Sequence, residues 1–221
     1  MSAQARSEQR RQVRREQILA AAHRSFAEKG YQGTTIRDIE QACDLTRGSI
    51  YYHFRDKQEI YVSVLIVGMR LLREDFERVV RDREADPREL ITRLLDTYCE
   101  SYRAQPQFFR IAQHFFFGWE SRSDLDPALV QEVTGLASDC LEIVVGVITE
   151  GIKRRVFASR DAFFEAVLFW GMATNLVQLS EDNPRAAFLR LSWEEMKMRL
   201  TQSTLDRLCG GGPAAGEVDL R

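Results

Sequence analysis

Apolar residues recur at helical spacing along almost the whole chain, and nowhere do they alternate with period two for long enough to predict a strand. From about Ser7 to Lys29, Ile18, Leu19, Ala22 and Phe26 share one face, and Gly30 follows as a stop. Thr35-Ile36-Arg37-Asp38 is an acidic variant of the capping box and opens a short helix to about Ala42. Thr46 can cap a second short helix to about Phe54, and Asp56-Lys57-Gln58-Glu59 opens a long one to about Arg83. Asp86-Pro87, Asp126-Pro127 and Asn183-Pro184 each set a capping residue before a proline, the favoured first helical residue. With Gln105-Pro106 as a break and Ser159 and Asp161 as a further start, helices are predicted over about 87–104, 106–120, 127–156, 160–180 and 184–208. Gly210-Gly211-Gly212-Pro213 then leads into a tail, 209–221, predicted to be disordered. The fold class is all-α, with about nine helices.

One helix breaks the pattern. The stretch AFFEAVLFWGMATNLVQL within 160–180 is apolar nearly all round, with Glu165, Thr174, Asn175 and Gln178 as polar exceptions. A surface helix is normally apolar on one stripe only. Those four residues and the amphipathic neighbours exclude a membrane span. Either the helix is central in its own bundle, or it packs one face inward and the other on a second subunit. The second reading is favoured, because a body of about five helices has little room for a buried one.

The two short helices are joined by Cys43-Asp44-Leu45, which is helix-turn-helix spacing. Asp44 stands where glycine is commonest, and aspartate is one of the few other residues that tolerate a left-handed backbone. Ile36, Ile39, Leu45 and Ile50 can knit the pair to the first helix. In a major groove the N-terminal residues of the second helix, Thr46, Arg47, Gly48 and Ser49, would face base edges, and Arg47 could grip guanine O6 and N7. Glycine costs about 1 kcal/mol in a helix, so close approach of a partner is a reason to keep Gly48. Tyr51, Tyr52, His53 and Lys57 then suit phosphate and sugar contacts, with one ring free to turn inward.

Charge agrees with this in a modest way. Residues 1–60 carry 11 lysines and arginines against 8 acids, whereas the remainder carries 20 against 25, for a net charge of -2 overall. A basic head on an acidic body fits a nucleic-acid reader. The arginine-rich start, Arg6 to Arg15, reads either as an arm for a minor groove or as a solvated, frayed helix end. Cys43, Cys99, Cys140 and Cys209 are far apart, with no CxxC pair, so neither a metal nor a disulfide framework is expected. No signal peptide is visible, which predicts a cytoplasmic protein. An enzyme would need convergent catalytic groups, and three scattered histidines without a nucleophile motif do not supply them.

From Gly30 to Ile60 the sequence GYQGTTIRDIEQACDLTRGSIYYHFRDKQEI resembles the DNA-binding signature of the TetR family of transcriptional regulators. The likeness rests on Gly-x-x-x-Thr-Thr, Ile39, the run Gly48-Ser49-Ile50-Tyr51, His53-Phe54 and Lys57. Departures are Glu40 for the usual alanine and Cys43-Asp44-Leu45 for Ala-Gly-Val. The resemblance implies a homodimer with an N-terminal helix-turn-helix head of three helices (1–55) and a ligand-binding and dimerisation body (56–208). It further implies a repressor released from a near-palindromic DNA operator by a small hydrophobic or aromatic effector, with no cofactor and no membrane partner. Carried onto this chain, Arg37, Arg47, Gly48 and Ser49 are the base-contact candidates, and Thr35, Thr46, Tyr51, Tyr52, His53 and Lys57 the backbone-contact candidates.

The stretch PQFFRIAQHFFFGWESR holds more aromatics than one stripe can seat, so some line a cavity or a second surface, unless they form an aromatic core. Tyr98, Tyr102, Phe109, His114, Phe117, Trp170 and Asn175 are the pocket candidates, with Glu165 as a further polar group. Phe169, Leu176 and Leu191 are the dimer-interface candidates.

Overall fold

The computed structural model describes residues 3–118, 125–159, 161–179 and 191–210, and all regular structure among them is helical. The helices are α1 (Ala3–Gly33), α2 (Ile36–Cys43), α3 (Arg47–His53), α4 (Lys57–Val79), α5 (Pro87–Ala104), α6 (Pro106–Gln113), α7 (Pro127–Lys153), α8 (Ala162–Gln178) and α9 (Trp193–Leu208). A π-helical turn, His114–Gly118, follows α6. The predicted tail from 211 onward and the Asn183-Pro184 start lie outside the described residues.

Local chemistry fixes most boundaries. Thr35 and Asp38 form the reciprocal capping box of α2, and Lys29 and the Thr35 side chain hold the Asp38 carboxyl well below the usual carboxylate range. Thr46 caps α3 by accepting from the Ser49 N–H. Asp56 Oδ1 accepts from the Glu59 N–H at 2.7 Å at the head of α4. Prolines open α5, α6 and α7 as expected. The described part of the last helix starts at Trp193 because Ser192 and Glu195 form a second capping box, a start signal the sequence reading passed over. Gly30 sits at φ 69°, where a side chain is strained, and it breaks α1 near its end.

The chain packs as two compact units, each continuous in space but not in sequence: one takes residues up to Leu71 with Gln105–Ala137, the other Leu72–Ala104 with residues from Ser138 onward. In the first, Ile18, Ala21, Ala22 and Phe26 of α1, Ile39, Ile50, Phe54 and Ile60 are fully or nearly fully buried. Phe108 of α6 lies against this unit's frame. Its ring stacks on His23 at 4.4 Å and covers Gly68 so closely that an added Cβ would sit 2.5 Å from it. In the second unit, α5, α8 and α9 pack together around Leu94, Leu95, Phe169, Ala173 and Leu208. Lys197 Nζ meets Asp96 at 2.9 Å and Arg103 meets Glu194 at 2.6 Å around the rim of that packing.

Candidate nucleic-acid interface

Three helices hold the head. α2 ends on Asp44, which takes up the left-handed conformation (φ 53°, ψ 45°) the sequence predicts for the turn, and its N–H bonds the Glu40 carbonyl. Gln17 of α1 donates to the Cys43 carbonyl at 2.8 Å and Arg24 to that of Ala42 at 3.4 Å, so α1 grips the turn by its backbone. Ile50 and Phe54 are the residues of α3 and its C-cap that enter the core. Neither tyrosine does: Tyr51 is 43% and Tyr52 71% exposed. The head thus anchors α3 through two aliphatic and aromatic pegs and turns its polar rings outward.

The outer surface of α3 is ready-made for hydrogen bonding. Thr46, Arg47 and Gly48 are exposed, Ser49 half-buried. The Arg47 guanidinium lies 5.7 Å over the Tyr51 ring, and its bond to Tyr51 pushes its pKa up. No described atom lies within 4 Å of a Cβ added at Gly48, so packing within the head does not require glycine there. Arg37 and Thr35, on the first turn of α2, are also exposed, although the Thr35 hydroxyl already donates to Asp38. His53 is half-buried against Tyr52, and burial followed by Arg11, Arg15 and Arg14 lowers its pKa.

Lys57, a backbone-contact candidate, is held by the head itself. Its ammonium donates to the carbonyls of Tyr31 and Thr34, both at 2.8 Å, and lies 4.4 Å over the Tyr31 ring, with burial lowering its pKa. Two of its three donors are thereby taken. Thr34, fully buried, bonds the carbonyls of Ser25 and Gly30 and closes the same corner. Sequence reasoning also missed Arg15, which reaches the His53 carbonyl and Ser63 Oγ and lies 4.2 Å over Phe54. Its place three residues before buried Ile18 and four before Leu19 was the available signal.

The model of bacterial regulatory proteins of the tetR family matches residues 18–64, which span this head. The HTH-type transcriptional repressor Rv1474c of Mycobacterium tuberculosis is 32% identical over 181 residues, 70% of this chain and 88% of that protein. The chain belongs to the tetR family. The HTH-type transcriptional repressor AcnR of Corynebacterium diphtheriae is 36% identical over 111 residues, where the match spans 43% of this chain and 54% of that protein. Among solved structures, the transcriptional regulator FadR from Bacillus subtilis in complex with stearoyl-CoA has a TM-score of 0.67, at 20% identity, over 90% of this chain and 99% of that one. AibR in complex with isovaleryl coenzyme A and operator DNA has a TM-score of 0.65, at 19% identity, over 89% and 98%. Both share the all-α fold of the tetR family found here.

The expected pocket residues fall into the two units. In the first, His114 lies near Tyr31 and Tyr61, at 6.0 and 5.8 Å between rings, and burial pushes the Tyr61 hydroxyl up to about 12; Phe109 is half-buried. The side chain of Phe117 lies outside the described residues. In the second, Tyr98 is buried, its hydroxyl 3.1 Å from Thr174 Oγ1 and its ring edge-on to Trp170 at 5.6 Å. Tyr102 stacks on Trp193. Asn175 is a correction: it is exposed and donates to the Gly171 carbonyl of its own helix, so it points to solvent rather than inward. A cavity of about 620 Å³ opens between α4 and α5, lined by Asp75, Arg78, Arg81, Asp82, Arg93 and Glu100 among others. None of the predicted pocket residues borders it, and its charged wall does not suit an apolar ligand.

The dimer-interface expectation also needs correcting. Phe169 and Leu176 are buried within one chain. They lie on the same face of α8 as Glu165, which faces inward because Arg207 of α9 binds its carboxylate at 2.7 Å. The outward face is Phe163, Phe164, Val167 and Gly171, with Phe163 and Phe164 each 56% exposed. Leu191, at 38% exposure, and Met198 are exposed beside the start of and within α9. Among the described residues, no helix is long and apolar enough to cross a membrane.

Proposed function

We propose that this protein is a cytoplasmic repressor, without catalytic activity of its own, whose homodimer binds a near-palindromic operator and leaves it when an apolar effector occupies the body. Residues 1–55 read DNA, and residues 56–208 hold the effector and dimerise. Arg47, Gly48 and Ser49 at the exposed start of α3, with Arg37, meet base edges. Thr35, Thr46, Tyr51, Tyr52, His53 and the remaining donor of Lys57 meet the backbone. The observation that carries the reading is the division of α3 into buried pegs, Ile50 and Phe54, and an outer row rich in donors. The names of the repressor relatives support it.

For the effector, the aromatic sets around Tyr98–Trp170 and around His114 offer apolar walls with isolated polar groups. Two proteins of like fold carry acyl-coenzyme A thioesters, and that supports long or branched acyl-CoA as the first effectors to try. The outward stripe of α8 supports dimerisation through α8, with Phe163, Phe164 and Val167 at its centre. Fluorescence anisotropy on labelled DNA from upstream of its own gene, against scrambled competitor, tests the reading. Competitor-resistant binding, released by stearoyl-CoA or isovaleryl-CoA and not by free coenzyme A, is the expected result. Binding equalled on scrambled DNA would overturn it.

A further inference from the structure

Helices joined by a short link normally turn apolar faces toward one another. α4 and α5, joined by residues 80–86, also turn charged faces to a common space. α5 buries Leu90, Leu94 and Tyr98 on one side. Arg93, Thr97 and Glu100 recur at steps of four and three on another, and these line the cavity of about 620 Å³ together with Asp75 and Arg78 of α4 and with Arg81 and Asp82 just after it. The volume is that of a small-molecule site, and all of its lining belongs to the second compact unit.

Part of this wall is already matched. Arg78 pairs with Asp75, and Arg93 pairs with Glu89 of its own helix. Among the described residues, Arg81, Asp82 and Glu100 make no ion pair. What is left to bind is one guanidinium against two carboxylates, a net charge of -1. An apolar molecule would strand all three charges, and an anion would meet both acids. Spacing then excludes a single cation. Ser101 Oγ lies 3.5 Å from Asp75 Oδ2, so Glu100 stands level with that turn of α4. Asp82 is seven residues further on, and the Val80 and Arg81 N–H groups still bond the Phe76 and Arg78 carbonyls along the helical path. Seven residues at helical rise are on the order of 10 Å, too far for one ammonium or one metal ion to touch both acids.

We propose that this cavity binds a basic amino acid, of the lysine or ornithine type, at a site separate from the aromatic sets offered to the effector. Such a molecule carries two cations and one anion at neutral pH, the opposite of the wall in every sign. Arg81 and Asp82, neighbours in the turn after α4, take the α-carboxylate and the α-ammonium, which are neighbours in the ligand. Glu100 takes the side-chain ammonium at the far end of the cleft, and Thr97 and Ser101 add hydroxyls to the same wall. The site stands whether or not the head reads an operator.

The test is calorimetric titration of the full chain, without DNA, with four probes. They are L-lysine, L-norleucine, which lacks only the side-chain ammonium, cadaverine, which lacks only the carboxylate, and the dianion glutarate. L-lysine is expected to bind, norleucine and cadaverine each to bind about tenfold or more weaker, and glutarate to give no heat. Glu100→Gln should remove the advantage of L-lysine over norleucine, and Arg81→Gln its advantage over cadaverine. Both residues are exposed, so both variants should melt with the wild type. No heat from L-lysine up to about 10 mM would overturn the site. Cadaverine or norleucine equal to L-lysine on the wild type would overturn the amino-acid class, and glutarate binding would overturn the charge assignment. Folded variants that leave both ratios unchanged would overturn this cavity as the site.

Discussion

Helices α3 and α8 both leave large side chains in solvent, and they do so in opposite chemistries. α3 buries Ile50 and exposes Tyr51 and Tyr52, rings that end in hydroxyls and are flanked by Arg47 and Arg11. α8 buries its acid, Glu165, and exposes Phe163, Phe164 and Val167, which can bond nothing. Exposure alone marks neither surface. A row with donors and cations remains comfortable in water and gains from a polyanion, whereas a bare apolar stripe gains only by being covered. On the proposed function the two helices serve two different partners, a duplex and a second copy of the chain.

The sharpest way to break this contrast is to charge the stripe. Phe163→Asp combined with Val167→Asp should give monomers in sedimentation equilibrium. Operator affinity should fall about a hundredfold or more, because two heads no longer act together. A folded, dimeric variant would refute the role of α8. Next, Glu165→Ala should destabilise the fold by about 2 kcal/mol, since Arg207 is left part-buried without its partner, and a urea titration reads this directly. Stability equal to wild type would mean that Glu165 does not set the phase of α8.

On the other side of the contrast, Arg47→Ala should weaken the preferred site by about tenfold and relax preference at one base position, with little change on other sequences. Uniform loss on all DNA would make Arg47 a phosphate contact instead. Asp44→Gly should stabilise the head by up to about 1 kcal/mol in thermal melts, because glycine carries no side-chain penalty at φ 53°. The smallest effect concerns pH. His53 and His23 both titrate below the ordinary 6.5, chiefly through burial, so the unfolded chain takes up these protons first. Their contribution is full above about 6.5 and is lost as pH falls through the folded values. His53→Gln should flatten part of that acid limb, as followed by circular dichroism.

Much of the architecture was legible because it is written in local chemistry. Thr35 with Asp38, Thr46, and the prolines at 87, 106 and 127 act within a few residues of themselves, and the helices start where they say. The left-handed Asp44 belongs to the same class. The face of α8 was not legible, for a physical reason. An almost wholly apolar helix offers few clues to its rotation, and a lone carboxylate normally marks water. Here Arg207, forty-two residues away, reverses that sign. The hold on Lys57 was hidden likewise, because its acceptors are carbonyls at Tyr31 and Thr34 and no side-chain pattern announces them.

The head's compact unit takes in α6, whose Phe108 rests on both His23 and Gly68, although α6 lies more than thirty residues beyond the last head residue in sequence. During synthesis α1 and α4 therefore emerge well before the ring that packs on both of them. At a translation rate of roughly 5–20 residues per second the uncovered face waits some seconds. The packing of this unit would be complete only after the chain has been made past α6, and a nascent chain cut short at Leu71 would leave the ribosome with the faces of His23 and Gly68 bare.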